Sequence, residues 1–545
     1  MRENETTSGY DEAGPALAPS EQQTADARHV THGGRDAPAP LLSISPMRLS
    51  VIFTSIGCVA STLAGAQAAP PEARAIDSIA RVARELGRAY GASVWPGFRP
   101  DTIPVAFVLP SRGMLLAGWR GPLPQGFTPV AGTEGLAWRP EAALGAASTS
   151  ISLGGRSAAQ VVVPRDSSAG AGAGRTRVDG AELTALAFHE AFHTFQGAAR
   201  QEGRRFGQGE NAFYVASYPV FDVDNEALFA LEGTLLAAAL EAHDARTRLA
   251  RAREFVGVRR RRHARLTTEI AAFDDASELN EGLAQYAQLR ALQSIGREGP
   301  TAWRASAERE LARERAQLAG LTGDATRSFR LRYYSTGPAM ALLLDAIAGE
   351  GWKQRLVDEN ATLERALAAA TGIDSVAEEA ARRAIASANE RTLRDAAAAR
   401  VASLRERRLR QVDSVLAAPG LRVVVALDSL GRDFGMCGFD PQNHLRVTPT
   451  LELQTRWWRP CAGAAASAEL GVPSVHDRER RTVTAVLGAD AEVTLTADGK
   501  PLVVGDGETV RGVKLLKLTA PRGSVEAARA DVSRAGRTVT VRVLP

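Results

Sequence analysis

"LTALAFHEAFHTFQ", residues 183–196, holds two of the chain's eight histidines four positions apart, with a glutamate directly after the first. A helix advances about 100° per residue, so His189 and His193 project from one face a single turn apart, where two imidazoles can grip one metal ion. Glu190 stands one step round the same cylinder. There it can reach a water on that ion without being a ligand itself, which suits a general base. The start signals of a helix agree: Asp179, with Glu182 three residues on, reads as an N-cap, and Gly197 marks an expected end. Leu183, Leu186, Phe188, Phe192 and Phe195 surround the histidines with apolar bulk, which predicts a buried helix. Chance alone produces such a pattern in roughly one chain per hundred of this histidine content. The competing reading, two histidines satisfied within a core, therefore turns on whether a third ligand exists.

The search for it leads downstream to "SELNEGLAQYAQL", residues 277–289. The stretch "LNEGLAQY" resembles the glutamate-bearing second helix of gluzincin zinc metallopeptidases, where N-E-G-x-A or E-G-x-x-x-Y follows H-E-x-x-H. The resemblance implies a metal shell of His189, His193 and Glu281 around one Zn2+ per chain, with Glu190 as the catalytic base and Gly282 letting two helices approach. It also implies a mainly α, gluzincin-like (zincin) catalytic body, preceded here by a small α/β lobe and followed by an all-β domain.

This chain departs from that pattern in spacing. Glu281 lies 88 residues beyond His193, longer than is typical of gluzincins, so an inserted helical hairpin is expected. "DVDNEALFALEGTLLAAALEAH" (222–243) and the arginine-rich segment after it supply one. The insert also holds rival carboxylates, Glu226 and Glu232, and "LEG" at 231–233 echoes the ligand motif; Glu281 ranks ahead of Glu232. Some gluzincins place an aspartate four residues after the ligand glutamate to orient a histidine, whereas this chain has Gln285, which leaves open what orients its imidazoles. "GQGEN" (207–211) is similar to an exopeptidase substrate motif but follows the histidine helix instead of preceding it, so aminopeptidase activity is not inferred.

A length of 545 residues with 45% hydrophobic content allows about three domains. The net charge of +4 is small for that length and implies no nucleic-acid partner. The one local basic run, Arg259 to Arg262, reads as a solvated helix face, with an anionic partner as the alternative.

Residues 1–46 are polar and aperiodic, which predicts disorder or a mis-assigned extension before a true start at Met47. Residues 47–68 combine Met47 and Arg48 with a short apolar stretch and small-residue cleavage sites at Ala66 and Ala68, the pattern of a signal peptide. The expected location is extracytoplasmic, periplasmic or secreted, with no stable membrane insertion after cleavage. A single membrane anchor, or a lipoprotein anchored at Cys58 in "SIGC", are the rivals; the serine of that lipobox departs from the usual leucine. Loss of Cys58 with the signal leaves Cys437 and Cys461 as an even pair, which predicts a disulfide, the alternative being two buried thiols.

Along the mature chain, 69–178 read as an α/β lobe: an amphipathic helix over 72–90, short strands through "IPVAFVLP", "MLLAGW" and "AAQVVVP", and a flexible connector at 167–174. In gluzincin-like architectures such a sheet presents an edge strand to an extended substrate. Residues 179–417 read as the helical catalytic domain. From 418 to 545 the period falls to two, with turn signals such as "ADGK", which predicts a β-sandwich or barrel-like domain. In "RLRYYSTGPAMALLLDAIAGEGW" (330–352) an apolar helix is expected to start through Gly337 and Pro338. Tyr333 or Tyr334 before it could donate to a developing oxyanion, or both could simply pack; Arg330 or Arg332 could take a substrate carboxylate. The expected function is an exported zinc-dependent peptidase acting on a peptide or protein. A non-peptidase zinc hydrolase on the same residues, or an inactive metal-retaining binding protein, are the alternatives.

Overall fold

Apolar residues at helical spacing over the first segment bury Ile76, Ile79, Val82 and Leu86 along one face of α1 (Ala73–Val94). The computed structural model describes residues 69–140, 148–164, 178–204, 206, 210–319, 329–349, 351–373, 376–489 and 491–545. The N-terminal extension, the signal-like segment with Cys58, and the connector at 167–174 lie outside the described residues. No helix among the described residues is long and apolar enough to cross a membrane.

After α1 come six strands: β1 (Val105–Leu109), β2 (Gly113–Ala117), β3 (Thr128–Pro129), β4 (Ala137–Arg139), β5 (Thr149–Leu153) and β6 (Arg156–Val162). They form one sheet in the order β3-β4-β2-β1-β6-β5, with β1 and β6 parallel and the other pairs antiparallel. One face carries Phe107, Leu115 and Val161 against Ile76 and Ile79 of α1 and against Leu183 and Ala187 of α2 (Gly180–Gln201), the histidine helix. The sheet thus holds α2 from one side. Its edge strand β5 runs beside that helix, where the Thr194 hydroxyl donates to Ser150 Oγ at 3.1 Å.

Asp179 caps α2, its Oδ1 accepting from the backbone N–H of Ala181 and Glu182 at 3.0 Å each. Gly197 does not end the helix. It continues to Gln201 and stops at Gly203, whose φ of 76° lets the Arg204 amide turn back to the Ala199 carbonyl.

The insert between the two motifs is a helical hairpin, α3 (Val223–Glu241) and α4 (Ala245–His263), capped by Asp222 and Asp244. Next, α5 (Thr268–Ser277) passes through one π-helical turn, Glu278–Gly282, straight into α6 (Leu283–Glu298). Then follow α7 (Thr301–Ala319), α8 (Tyr333–Ile347), α9 (Trp352–Asp358), α10 (Leu363–Thr371), α11 (Ala377–Ser387) and the long α12 (Glu390–Ala417). α8 begins at Tyr333, after a short 3-10 turn over Phe329–Arg332, and Pro338 lies inside it, not at its start. Gly282 has the close-approach role expected of it, but toward a different helix. A Cβ there would stand 2.6 Å from Gly337 Cα of α8, so the pair of glycines brings the π-turn and α8 into backbone contact.

The arginine run at the end of α4 is not a solvated face. Arg259 and Arg262 have no exposed surface, and only their neighbours Arg260 and Arg261 reach outward. The two buried guanidiniums are consumed by Glu232, Glu278 and Asp274, drawn from α3, the π-turn and α5.

Beyond α12 the chain is mostly β. Thirteen strands between Arg422 and Val543 join in one branched hydrogen-bonded sheet, antiparallel except where Thr538–Val543 runs parallel to Arg422–Ala426. The long hairpin Thr509–Ala520 and Gly523–Ala535 buries alternate residues such as Leu516, Leu518, Val525 and Ala527 in a core separate from that of the helical body. In "ADGK" the turn is made by Asp498 and Gly499, both at positive φ. Cys437 and Cys461 are joined as a disulfide across neighbouring strands, with Cα atoms 5.9 Å apart.

Candidate metal centre

Three side chains converge in the cleft between α2 and the π-turn. His193 Nε2 lies 3.2 Å from His189 Nε2 and 3.2 Å from Glu281 Oε2, and His189 Nε2 lies 3.5 Å from the same carboxylate oxygen. Ligand atoms about 2.0–2.1 Å from a common centre in tetrahedral directions stand about 3.3–3.4 Å apart. The three atoms therefore already have the spacing of a metal shell, and this group could hold a metal ion. Glu281 is the carboxylate in that position. Its rivals are engaged elsewhere: both oxygens of Glu232 bond Arg259 and Arg262, and Glu226 pairs with Arg332.

The π-turn explains how one short segment serves two sites. Its wider i→i+5 winding turns residues three apart away from a shared face, so Glu278 points to Arg259 and Thr336 while Glu281 points to the histidines. A regular helix, in which positions i and i+3 are neighbours, would send both carboxylates the same way.

Hydrogen-bond partners hold two of the three groups in register, His193 and Glu281, whereas His189 Nδ1 is buried with no hydrogen-bond partner among the described residues. Gln196, one turn beyond His193, accepts from its Nδ1 at 3.0 Å and donates its own Nε2 to the Leu279 carbonyl of the π-turn at 2.7 Å. Because a carboxamide oxygen only accepts, that bond keeps a proton on Nδ1, so Nε2, which faces the centre, is the nitrogen that would bind an ion on losing its own proton. Gln196, not Gln285, is the group that orients an imidazole. The signal was local, a carboxamide three residues after a histidine on one helix. Replacing Gln196 with leucine should weaken the affinity for a divalent metal ion about 10- to 100-fold, read by competition against a chelating dye. An affinity equal to the parent's would show that His193 needs no such partner.

The other oxygen of Glu281 accepts from Arg330 Nη2 at 2.7 Å, and Arg330 in turn pairs with Glu210, the fourth residue of "GQGEN". Neither Arg330 nor Arg332 is thus a simple receptor for a substrate carboxylate. The first braces Glu281 and the second is held by Glu226.

Electrostatics show a place made for positive charge. Burial opposes ionisation of Glu281, yet His193 and Arg330 hold its carboxyl well below the usual range. Burial likewise disfavours a charge on His193, but Glu281 outweighs it and lifts the imidazole to about 9. A divalent cation supplies the same compensation as that proton. Glu190, 3% exposed, has its pKa raised, first by burial and further by Glu281, against the pull of the two histidines. Its Oε2 is buried with no hydrogen-bond partner among the described residues.

The tyrosines separate cleanly. Tyr333 is fully buried and its hydroxyl bonds Asp274 beside Arg262, in the buried ion network, so it packs and braces. Tyr334 faces the centre, its ring stacked on His189 at 5.8 Å with planes 5° apart. Burial, then the charge of Glu281, keep its hydroxyl protonated. From Tyr334 a cleft of about 760 Å³ runs between α3, α6, α7 and α8, with Leu289, Leu342 and Pro338 on its apolar side.

Compared with known protein families, with curated proteins and with solved structures, the chain matches none.

Proposed function

We propose that the chain is an exported, gluzincin-like zinc peptidase. The observation that carries this reading is the convergence of His189, His193 and Glu281 at metal-shell spacing with Glu190 alongside. Two helices bearing these motifs in this order, beside a sheet in which β5 is an edge strand among the described residues, support the zincin-like fold; the Cys437–Cys461 disulfide supports an oxidising compartment.

Zinc bound there supplies Lewis acidity toward a carbonyl oxygen and toward water. The rest is work for side chains of this chain. Glu190 has a buried Oε2 with no hydrogen-bond partner among the described residues, is desolvated and stands one helical step from the ligands; it takes the proton of the attacking water and returns it to the leaving amine. Tyr334, kept protonated, donates to the oxygen on which charge develops. Gln196 and Arg330 fix His193 and Glu281 so that neither swings during turnover. Strand β5 offers main-chain hydrogen bonds to an extended peptide, while the cleft beside Tyr334 receives a side chain.

Purified mature chain should carry about one zinc, cleave members of a mixed peptide library, lose that activity to 1,10-phenanthroline and regain it when zinc is restored. Protein purified without chelator that holds no metal would sink the proposal, as would turnover indifferent to metal removal. Cleavage of esters but not of peptides would move the reading to a non-peptidase hydrolase.

A further inference from the structure

The β domain brings one turn to Tyr334. Pro441–Asn443 form that turn, which is built rigidly: Asp440 Oδ1 accepts from the Gln442 amide at 3.0 Å, its Oδ2 accepts from Asn443 Nδ2 at 2.8 Å, and Thr455 Oγ1 donates to Asn443 Oδ1 at 2.7 Å. Just before it, the ring of Phe439 packs on Phe213 of the helical body at 5.6 Å. The side chain left over is Gln442, and its Nε2 donates to the Tyr334 hydroxyl at 3.1 Å across a sequence distance of 108 residues.

That bond has a direction. The phenolic oxygen accepts from Gln442 and, more weakly at 3.4 Å, from Arg330 Nη1. With N–H groups on its acceptor side, the hydroxyl must aim its own hydrogen elsewhere, and the direction left faces Glu281 and the metal cleft. Donors on the oxygen also polarise the O–H bond and strengthen it as a donor. We infer that Gln442 is a positioning residue for the reaction, acting through Tyr334, and that the β domain completes the active site instead of merely following it. This inference rests on the hydrolase reading and on Tyr334 as the oxyanion donor.

A Gln442–Tyr334 double-mutant cycle on the full zinc-loaded chain tests it. Tyr334→Phe should lower kcat by about a hundredfold. Gln442→Leu should lower kcat roughly tenfold with KM, zinc content and thermal midpoint unchanged, because Gln442 is solvent-exposed and its bond contributes little to folding. In the Tyr334→Phe background the leucine should have no further effect. Gln442→Glu separates positioning from space-filling: its carboxylate accepts the tyrosine's hydrogen and draws it out of the cleft, so activity should fall at least as far as with leucine. Affinity for a peptidyl phosphonate, whose anionic oxygens mimic the tetrahedral intermediate, should follow the same pattern and gives a readout without turnover.

Three results overturn the inference while leaving the hydrolase intact: Gln442→Leu at parental kcat, an equal leucine effect with and without the Tyr334 hydroxyl, or Gln442→Glu at parental activity. A zinc-loaded parent that neither cleaves peptides nor binds the phosphonate takes down the hydrolase reading and this inference together.

Discussion

Glu190→Gln should leave zinc at about one per chain and lower hydrolysis by a factor of about 10² to 10⁴, whereas Glu281→Ala should lose both metal and activity. The two carboxylates sit within one cluster, and the proposed mechanism gives them different work. Glutamine keeps the size and helix propensity of Glu190, whose side chain is buried and whose Oε2 bonds none of the described residues, so little but basicity is removed. Alanine at 281 removes the oxygen that stands 3.2 Å from His193 Nε2 and 3.5 Å from His189 Nε2, leaving two imidazoles and a buried Arg330 guanidinium that has lost one of its two carboxylate partners and keeps Glu210. Two histidines without a carboxylate, beside a guanidinium, make a poor zinc site. Metal analysis and turnover on each purified variant decide the matter. If Glu190→Gln retains parental rates, the general base lies elsewhere; if Glu281→Ala keeps its zinc, the third ligand has been misassigned.

Glu232→Ala should cost about 3–5 kcal/mol of folding stability without touching the metal centre. Glu232 is wholly buried on α3 and accepts from Arg259 Nε at 2.8 Å and from Arg262 Nε at 2.6 Å. Its removal leaves Arg259 with Glu278 and Arg262 with Asp274, two buried guanidiniums whose desolvation is no longer fully compensated. The network ties α3, α4, α5 and the π-turn together, and through Thr336 it reaches α8. The expected readout is a lower denaturant midpoint in a protein that, below that midpoint, still binds one zinc. Loss of zinc at unchanged stability would return Glu232 to the ligand shell, and an unchanged midpoint would mean the ion network contributes nothing net. A Glu232→Gln variant keeps the shape and one acceptor, so it should fall between the parent and alanine.

The body plan was legible because it is written in local periodicity. Apolar spacing near 3.6 and a capping Asp179 specify the histidine helix, alternation of period two specifies the strands after Leu421, and "ADGK" specifies its own turn through Asp498 and Gly499. The pairing of His189 with His193 follows from helix geometry alone. Gln196 was legible by the same rule, since three residues bring it over His193.

What sequence by itself determined, then, is what depends on neighbours within a turn or two: the helix that carries two imidazoles and a glutamate, the helical hairpin of the insert, and the change to strands. Tertiary structure alone decided which distant group each side chain meets. The arginine run is polar in any window, yet packing of α4 against α3 and α5 buries Arg259 and Arg262 and withdraws Glu232 from the His189–His193 cluster. Tyr333 and Tyr334 are adjacent, and only the seating of α8 on Gly282 sends one into the ion network and the other to His189. The reach of Gln442 to Tyr334 spans two domains, and no local pattern carries it, because a hydrogen bond between surfaces exists only once both surfaces have folded and docked.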